Sequence, residues 1–251
     1  MKGRKERLDV VLVAQGKASS RAQAQALIRA GRVRVGGAPL DKPGAQVSTD
    51  APLEVSVPPR YVSRGGDKLE AALATFGVDP HDKVGLDVGS STGGFTDCLL
   101  QHGARKVHAV DVGRGQLDWG LRNDPRVVVH EGVNARSLRG EDIGEGVDLA
   151  TVDVSFISLR LVLPPLRSIV KPGGEVIALV KPQFEAGREA VRRGVVRDPA
   201  VHQAVVDGIA AFAQRELGWT VRGRAPSPLL GPAGNREFFL HLWAGGAGDE
   251  A

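Results

Sequence analysis

The sequence predicts an α/β protein in two parts, a small basic α+β module followed by a larger domain with a mostly parallel sheet. Residues 1–60 carry 11 Lys and Arg against 5 Asp and Glu, whereas the remainder carries 22 against 24. After the first 63 residues, strand and helix patterns alternate, which is typical of a parallel sheet covered by helices. The last two strand patterns are joined by a loop without room for a crossover helix, so the sheet is expected to end in an antiparallel hairpin. The boundaries we predict are 1–57 for the module, 58–63 for a linker, 64–245 for the larger domain and 246–251 for a flexible tail.

The composition excludes several classes of protein. The single cysteine, Cys98, cannot form an internal disulfide, and the six histidines lack the spacing of metal ligands, so we expect no metal. No apolar run approaches the roughly 18–20 residues of a membrane span. We therefore expect a cytoplasmic protein that acts as a monomer without contacting a membrane, and we expect its three tryptophans in the core.

The basic module reads as two short helices followed by a strand. The first helix pattern begins at Leu8, and Gly16 can end it in the left-handed conformation. Ser19 or Ser20 caps the second helix, and residues 33–37 alternate and then turn, as a strand entering a hairpin does.

The surplus charge of this module suits a polyanion, although charge alone is equally compatible with a solvated basic face. The order Arg-Leu-Asp, Gly, Ser-Arg, Leu-Ile, Gly and Val-x-Val-x-Gly, over roughly residues 6–56, resembles the S4 RNA-binding domain. The alternative is a generic basic helical hairpin. The resemblance implies an RNA-binding surface, aided by the start of the second helix. The residues expected to contact RNA are Arg4, Arg7, Lys17, Ser20, Arg21, Arg29 and Arg32.

The larger domain opens with an amphipathic helix over residues 63–76, where Asp67 and Glu70 predict an N-terminal cap. A further helix is predicted over residues 95–102. The predicted strands are 84–88, 106–110, 126–130, 147–153, 175–180, 219–225 and 237–243.

A glycine-rich turn follows the first of these strands, in the order Asp-Val-Gly-Ser-Ser-Thr-Gly-Gly-Phe-Thr over residues 87–96. Glycines there let the backbone approach a ligand closely, and Asp111 at the end of the next strand can bind ribose hydroxyls. The Gly-x-Gly-x-x-Gly fingerprint of dinucleotide-binding folds is absent, which disfavours a nicotinamide dehydrogenase. A structural turn in some other doubly wound fold is the remaining alternative.

The spacing Asp-x-Gly-x-x-x-Gly-Gly resembles the S-adenosylmethionine loop of class I methyltransferases. The resemblance implies a Rossmann-like fold with a mostly parallel seven-stranded sheet that ends in an antiparallel hairpin. The cofactor contacts it implies are Asp87, Gly89, Ser91, Thr92, Gly93, Phe95, Asp111, Val112, Asn134 and Asp153.

Four ionisable residues fall where such a sheet brings side chains together. Lys68 lies on the helix before the glycine-rich turn, Asp153 and Lys181 end strands, and Glu237 opens the last strand. This Lys-Asp-Lys-Glu set is similar to the tetrad of FtsJ-type ribose 2′-O-methyltransferases. Nearly the whole chain resembles the TlyA family, often labelled hemolysin A. This resemblance rests on the S4-like module and on four segments that follow it, Ser-Arg-Gly-Gly-Asp-Lys-Leu, Asp-Val-Ser-Phe-Ile-Ser, Val-Lys-Pro-Gln-Phe-Glu and Gly-Asn-Arg-Glu-Phe-Phe. The resemblance implies S-adenosylmethionine-dependent methylation of cytidine 2′-hydroxyls in the ribosomal RNA of ribosomal subunits.

The predicted chemistry assigns a role to each member of the tetrad. A ribose 2′-hydroxyl loses its proton only at high pH, so attack on a methyl group needs a positioned base and in-line geometry. A lysine serves as that base only in its neutral form, which a second cation and desolvation favour. We assign Lys181 as the base, Lys68 as the neighbouring charge, Asp153 as the residue that orients Lys181, and Glu237 as a partner of the hydroxyl or the lysines.

Two other functions remain open from the sequence, a membrane-active cytolysin and an RNA-binding protein without catalysis.

The segment from Pro182 to Pro199 is predicted as a long loop, since it carries no clear helix or strand pattern. We interpret it as a lid that faces RNA with Arg188, Arg192, Arg193 and Arg197.

Overall fold

In a computed structural model that describes residues 4–56 and 59–245, the chain divides into two compact units, one up to Pro59 and the other from Arg60. The first unit contains two helices and two small antiparallel sheets. One sheet pairs β1 with β4, and the other has the order β3-β2-β5. Its elements are β1 (Lys5–Arg7), α1 (Leu8–Ala14), α2 (Arg21–Arg29), β2 (Val33–Val35), β3 (Ala38–Pro39), β4 (Gln46–Ser48) and β5 (Leu53–Val55).

The predicted local signals of the first unit are confirmed. Gly16 follows α1 with a φ of 68°, and Ser20 caps α2 by accepting a hydrogen bond from the Gln23 N–H at 3.2 Å. The turn after β2 places Gly36 and Gly37 at positive φ, as a two-residue hairpin requires. The sequence prediction missed β1, because that short strand is recognisable only through its distant partner β4.

A buried carboxylate holds the first unit together. Asp9 is fully buried and accepts hydrogen bonds from the side chains of Arg7 at 3.0 Å, Arg21 at 3.1 Å and Gln25 at 2.8 Å. The Arg7 hydrogen bond is the largest cause of a pKa of Asp9 well below its usual range. Arg7 and Arg21, both predicted only as RNA contacts, therefore also have a structural role.

The second unit contains a seven-stranded sheet of order β11-β12-β10-β9-β6-β7-β8. The five strands from β10 to β8 run parallel, and β12 is antiparallel to both of its neighbours. This confirms the predicted fold class. Its elements are α3 (Gly65–Phe76), β6 (Val84–Val88), α4 (Gly94–Gln101), β7 (Lys106–Asp111), α5 (Trp119–Arg122), β8 (Val127–Glu131), α6 (Gly140–Ile143), β9 (Val147–Val152), α7 (Leu159–Leu166), β10 (Val170–Val180), α8 (Pro182–Glu185), α9 (Pro199–Leu217), β11 (Thr220–Pro226) and β12 (Phe238–Trp243).

Three predictions for the second unit are wrong in detail. No side chain caps α3 at Arg64, and Glu70 instead pairs with Arg60. β10 begins at Val170 rather than at residue 175, and its register with β9 shifts between Val170 and Glu175. Trp119 is 77% exposed, whereas Trp219 is buried as expected.

The segment before α3, residues 60–64, packs tightly within the second unit. The Tyr61 ring is buried so close to Gly66 that a Cβ there would lie 2.1 Å from its Cγ. The Val62 N–H donates to Asp97 at 2.8 Å, which ties the segment to α4. The paired glycines of Ser-Arg-Gly-Gly thus let α3 begin against the tyrosine, and this fixes the helix that carries Lys68. Val57 and Pro58, part of the sequence predicted around the linker, lie outside the described residues.

Candidate active site

Two adjoining cavities of about 550 and 540 Å³ open at the carboxyl edge of the parallel strands. This edge is where open α/β sheets bind ligands, since the loops that leave neighbouring strands converge there. The two cavities share the lining residues Gly89, Ser91, Asp153, Ser155 and Phe156.

The first cavity brings together all four members of the predicted tetrad. They form two ion pairs: Lys68 Nζ lies 2.6 Å from Glu237 Oε2, and Lys181 Nζ lies 2.6 Å from Asp153 Oδ1. The Glu237 side chain is fully buried, and the two lysine side chains are only 12% and 10% exposed. Because water is largely excluded, these charges interact strongly with each other and with any group that enters the cavity.

The topology explains why these residues meet. Asp153 and Lys181 follow the adjacent parallel strands β9 and β10, and Lys181 is the N-cap residue directly before α8. Glu237 precedes β12, which pairs antiparallel with β10 and so starts at the edge where β10 ends. Lys68 lies in the first turns of α3 and reaches the same cavity.

Ser155 is a contact of Lys181 that the sequence analysis did not identify. Lys181 Nζ donates to Ser155 Oγ at 2.9 Å, beside its ion pair with Asp153. The signal was present in Asp-Val-Ser-Phe, where the serine follows the strand-end carboxylate by two residues. Asp153 and Ser155 together fix the position of the Lys181 ammonium group.

The glycines of the glycine-rich turn allow it to pack closely against neighbouring segments of the chain. Gly89 has a φ of 87°, and a Cβ there would lie 2.4 Å from the carbonyl oxygen of Asp153. Gly93 has a φ of 97°, and its Cβ would lie 2.3 Å from Leu121. Gly93 thus packs against α5 rather than lining either cavity, whereas Thr92 and Phe95 line the first.

The second cavity contains the other predicted cofactor residues Asp111, Val112 and Asn134. Asp111 accepts hydrogen bonds from the N–H groups of Ser91 at 2.8 Å and Gly113 at 2.7 Å. The carboxylate therefore also joins the loops after β6 and β7. Asn134 caps the helical turn Ala135–Ser137 by accepting from the Arg136 N–H, and it remains exposed.

Asp87, predicted as a cofactor contact, lies beneath the cavities rather than in them. It is fully buried and accepts hydrogen bonds from the Thr96 N–H at 2.9 Å and hydroxyl at 2.7 Å, and from the Thr151 hydroxyl at 3.3 Å. Burial raises the pKa of Asp87 to about 7. Its role is to hold the start of α4 and the glycine-rich turn in place.

We expect Asp87→Asn to remove part of the pH dependence of stability. Asp87 keeps its proton on folding up to about pH 7, whereas an unfolded aspartate loses it near 3.8. Its protonation therefore stabilises the fold most at low pH, and this contribution is lost as the pH rises through about 7. Between pH 5 and 8 the free energy of unfolding of the wild type falls by roughly 2.5 kcal/mol more than that of Asp87→Asn, at about 1.4 kcal/mol for each pH unit up to about pH 7.

Urea unfolding followed by tryptophan fluorescence measures this difference, since all three tryptophans lie in the second unit. Asp41→Asn, at an exposed position of the first unit, is the control. Equal pH dependence in all three proteins contradicts the assignment.

The segment predicted as a lid is structured where it was expected to be a loop. It contains α8, a helical turn over Arg188–Ala190 and an antiparallel bridge between Arg192 and Val195. Glu185 also anchors it by accepting hydrogen bonds from the Ser158 hydroxyl and the Leu159 N–H, at 2.6 and 2.7 Å.

Other lining residues were not predicted, although most of them lie in the motifs that also contain the tetrad residues. Phe156 is 90% exposed with a φ of 64°, and its ring lies 5.0 Å from that of Phe184. The remaining unpredicted residues include Ser63, Arg64, Gln116, Gln183, Gly194 and Asn235.

The RNA contacts predicted for the first unit fall into two groups. Arg4, Lys17 and Arg29 are exposed, and Arg32 is partly buried. Arg7 and Arg21 instead donate hydrogen bonds to Asp9, and Ser20 caps α2, so these three side chains make contacts within the unit.

Among the described residues, no helix is both long and apolar enough to cross a membrane.

Comparison with known proteins agrees with this architecture. Residues 61–244 match the family model of FtsJ-like methyltransferases, and residues 6–52 match that of the S4 domain. A solved structure from Streptococcus thermophilus, whose name places it among hemolysins, is 46% identical, with a TM-score of 0.74 over 96% of this chain and 89% of that one. An RNA methyltransferase-like structure from Pyrococcus horikoshii shares the fold at 18% identity, with a TM-score of 0.53 over 76% of this chain and 87% of that one.

Curated relatives cover nearly the whole chain. The 16S/23S rRNA (cytidine-2′-O)-methyltransferase TlyA of Mycobacterium tuberculosis is 50% identical over 95% of this chain and 90% of its own length. Hemolysin A of Brachyspira hyodysenteriae is 39% identical over 94% of this chain and 99% of its own length. The chain therefore belongs to the FtsJ-like methyltransferase family and, with its S4 domain, to the TlyA group within it.

Proposed function

We propose that this protein transfers a methyl group from S-adenosylmethionine to the 2′-hydroxyl of cytidine in ribosomal RNA. One observation carries the proposal: two largely buried lysine–carboxylate ion pairs lie in a cavity that adjoins a second cavity lined by Gly89. The relatives named as TlyA methyltransferases support the choice of nucleotide and of RNA.

The second cavity fits the cofactor by its size and its lining residues. Gly89 lines this cavity and lets the chain after β6 pass close to the Asp153 backbone, and the Asp111 carboxylate can accept hydrogen bonds from ribose hydroxyls. Asn134 and Val112 line the same cavity, as polar and apolar neighbours of a nucleoside base. When bound, the cofactor supplies an electrophilic sulfonium methyl group.

Lys181 is placed to accept the proton of the attacking hydroxyl. Its Nζ lies in the first cavity, held by Asp153 and Ser155. As the base it must be neutral when the hydroxyl arrives, so its proton has to leave first, with the adjacent Asp153 carboxylate as the nearest acceptor shown. The position of the nitrogen stays fixed during this exchange because Ser155 also holds it.

Lys68 and Glu237 complete the site on the other side of the cavity. Their ion pair lies in the cavity that Lys181 also lines, and the charges of Lys68 and Glu237 compensate each other there. The buried Glu237 keeps Lys68 in place. Both groups can also hydrogen-bond the ribose, which would fix the hydroxyl in line with the methyl group.

We further propose that the S4 unit supplies RNA affinity and that the substrate is RNA within ribosomal subunits. Exposed cations such as Lys17 and Arg29 contact phosphates, which gives strong salt dependence but no sequence preference. A cytoplasmic monomer fits this role, since ribosomal subunits are the substrate it has to reach.

The test is methyl transfer from labelled S-adenosylmethionine to ribosomal subunits that lack the modification. Digestion to nucleosides should give 2′-O-methylcytidine as the labelled product. A label on a base, or on no RNA at all, contradicts the proposal. RNA binding with neither cofactor binding nor transfer identifies an RNA-binding protein without catalysis instead. Release of dye from anionic liposomes at nanomolar protein would favour the lytic activity that the hemolysin names suggest.

We expect Asp111→Ala to weaken cofactor binding by about tenfold or more, because it removes a charged hydrogen-bond acceptor. Loss of its bonds to Ser91 and Gly113 also loosens the loop around the cavity. Calorimetric titration with S-adenosylmethionine measures the effect, and circular dichroism verifies the fold. Unchanged affinity in a folded variant means that the cofactor site is misplaced.

A further inference from the structure

A two-residue hairpin turn, Arg193–Gly194, lies at the rim of the first cavity, which Gly194 lines. Arg192 and Val195 pair across it, with both N–H···O distances at 3.0 Å. The two turn residues have φ values of 51° and 78°, as a type I′ turn requires. This part of the predicted lid is therefore a defined turn.

Asn235 anchors this hairpin from inside the protein. Its side chain is buried, donates to the carbonyl oxygen of Gly194 at 2.9 Å and accepts from the Val196 N–H at 3.2 Å. The buried His202 ring adds a contact, since its Nε2 lies 2.9 Å from the Val196 carbonyl oxygen. The second turn residue, Gly194, and the backbone that follows the turn at Val196 are thus held by buried side chains of the second unit.

The anchor lies beside the reacting groups. Asn235 precedes Glu237 by two residues, and both line the first cavity with Lys68 and Lys181. The same loop therefore positions a member of the tetrad and the hairpin. Any shift of Asn235 changes where the hairpin lies relative to the ribose that has to enter.

The hairpin presents positive charge at the cavity mouth. Arg192, Arg193 and Arg197 are exposed, and Arg64, also exposed, lines the cavity. Guanidinium groups match the geometry of phosphate oxygens and can bind them with two hydrogen bonds. A nucleotide with its ribose in the cavity carries phosphates on both sides, so an RNA backbone is the partner that these charges fit.

We propose that Asn235 is a positioning residue that holds the Arg192–Val195 hairpin as a preformed clamp for the phosphates next to the target nucleotide. The inference rests on the proposed function, because it takes RNA as the substrate. A clamp that is already ordered loses little conformational entropy when RNA binds, which strengthens binding without further contacts.

Arg192→Gln/Arg193→Asn tests the clamp in the full-length protein. Asparagine tolerates the left-handed conformation, so the turn is kept while two charges are removed. We expect kcat/KM for ribosomal RNA to fall at least about tenfold through KM. The slope of log K for RNA against log salt should decrease by about 1.4 to 1.8, since two phosphate contacts are lost. The affinity for S-adenosylmethionine should stay within about twofold of wild type, which corresponds to well under 1.4 kcal/mol.

The matched control is Arg105→Gln/Arg215→Gln, which removes the same charge from exposed positions. Arg105 precedes β7 and Arg215 lies in the last turn of α9, at the opposite edge of the sheet from the cavity. If the two double variants show the same KM and the same salt slope, the clamp is wrong.

Asn235→Ala and Asn235→Asp test the anchor itself. Asn235→Asp keeps the acceptor for the Val196 N–H and loses the donor to Gly194, so it serves where the alanine variant fails to fold. We expect a raised KM for RNA and faster cleavage by trypsin after Arg192 or Arg193, with the rest of the chain still resistant. Wild-type KM and wild-type resistance at these bonds in a folded variant overturn the inference.

These readouts separate the clamp from the proposed function. If the wild type methylates no ribosomal RNA, the proposed function fails, but trypsin cleavage and the salt slope of RNA binding still decide the clamp. If the wild type methylates cytidine and the arginine variant matches its control, the clamp alone is overturned.

Discussion

Lys181→Arg lowers the rate of methyl transfer by about 10²–10⁴-fold, the contribution typical of a general base. Arginine keeps the positive charge and can still pair with Asp153, but its guanidinium does not release a proton at accessible pH. Lys181→Ala should be at least as inactive. Affinity for S-adenosylmethionine should change little in both variants, because Lys181 lines the first cavity and not the second.

Single-turnover methylation of ribosomal subunits measures this rate without interference from product release. Ser155→Ala is the matched comparison, since it removes a neighbour of Lys181 and leaves the lysine in place. A Lys181→Arg enzyme within about tenfold of wild type, a barrier change of about 1.4 kcal/mol, means that the residue acts as a fixed charge. Asp153, Glu237 or water would then have to accept the proton.

Removal of residues 1–59 should nearly abolish methylation of ribosomal subunits at physiological salt and leave cofactor affinity unchanged. The shortened chain has to retain Arg60 and Tyr61, because the first pairs with Glu70 and the second is buried in the second unit. The loss follows from the phosphate contacts of the S4 unit, each of which contributes to a steep decline of binding with salt.

Lys17→Gln/Arg29→Gln in the full-length chain is the milder version of this experiment, since both side chains are exposed. Lys42→Gln/Arg34→Gln, at other exposed positions of the same unit, is the matched control. Full activity of the shortened chain on intact subunits contradicts the assigned role of the S4 unit.

The sequence was sufficient to predict where the tetrad lies, because the ends of parallel strands meet at one edge of the sheet. Asp153 and Lys181 could be placed from strand patterns alone, and the antiparallel end of the sheet followed from the short loop before β12. The identity of the ion pairs could not be predicted. Which lysine contacts which carboxylate depends on side-chain directions across residues far apart in the chain.

Buried carboxylates are the main feature that sequence patterns missed. Asp87 and Asp9 were predicted as a ligand contact and as part of a helix, respectively, yet both organise loops or cations inside the protein. A carboxylate at a strand end has the same pattern whether it faces a cavity or the core. The structured lid segment was missed for a similar reason, since its anchors, Asn235 and His202, follow it in sequence.

Mapping of 2′-O-methyl groups in ribosomal RNA from cells with the gene, without it, and with the gene carrying Lys181→Arg shows directly whether this protein methylates cytidine through Lys181. We expect at least one 2′-O-methylcytidine that is present with the wild-type gene and absent in the other two strains. Identical methylation in all three strains, with the protein expressed and folded, would contradict this expectation.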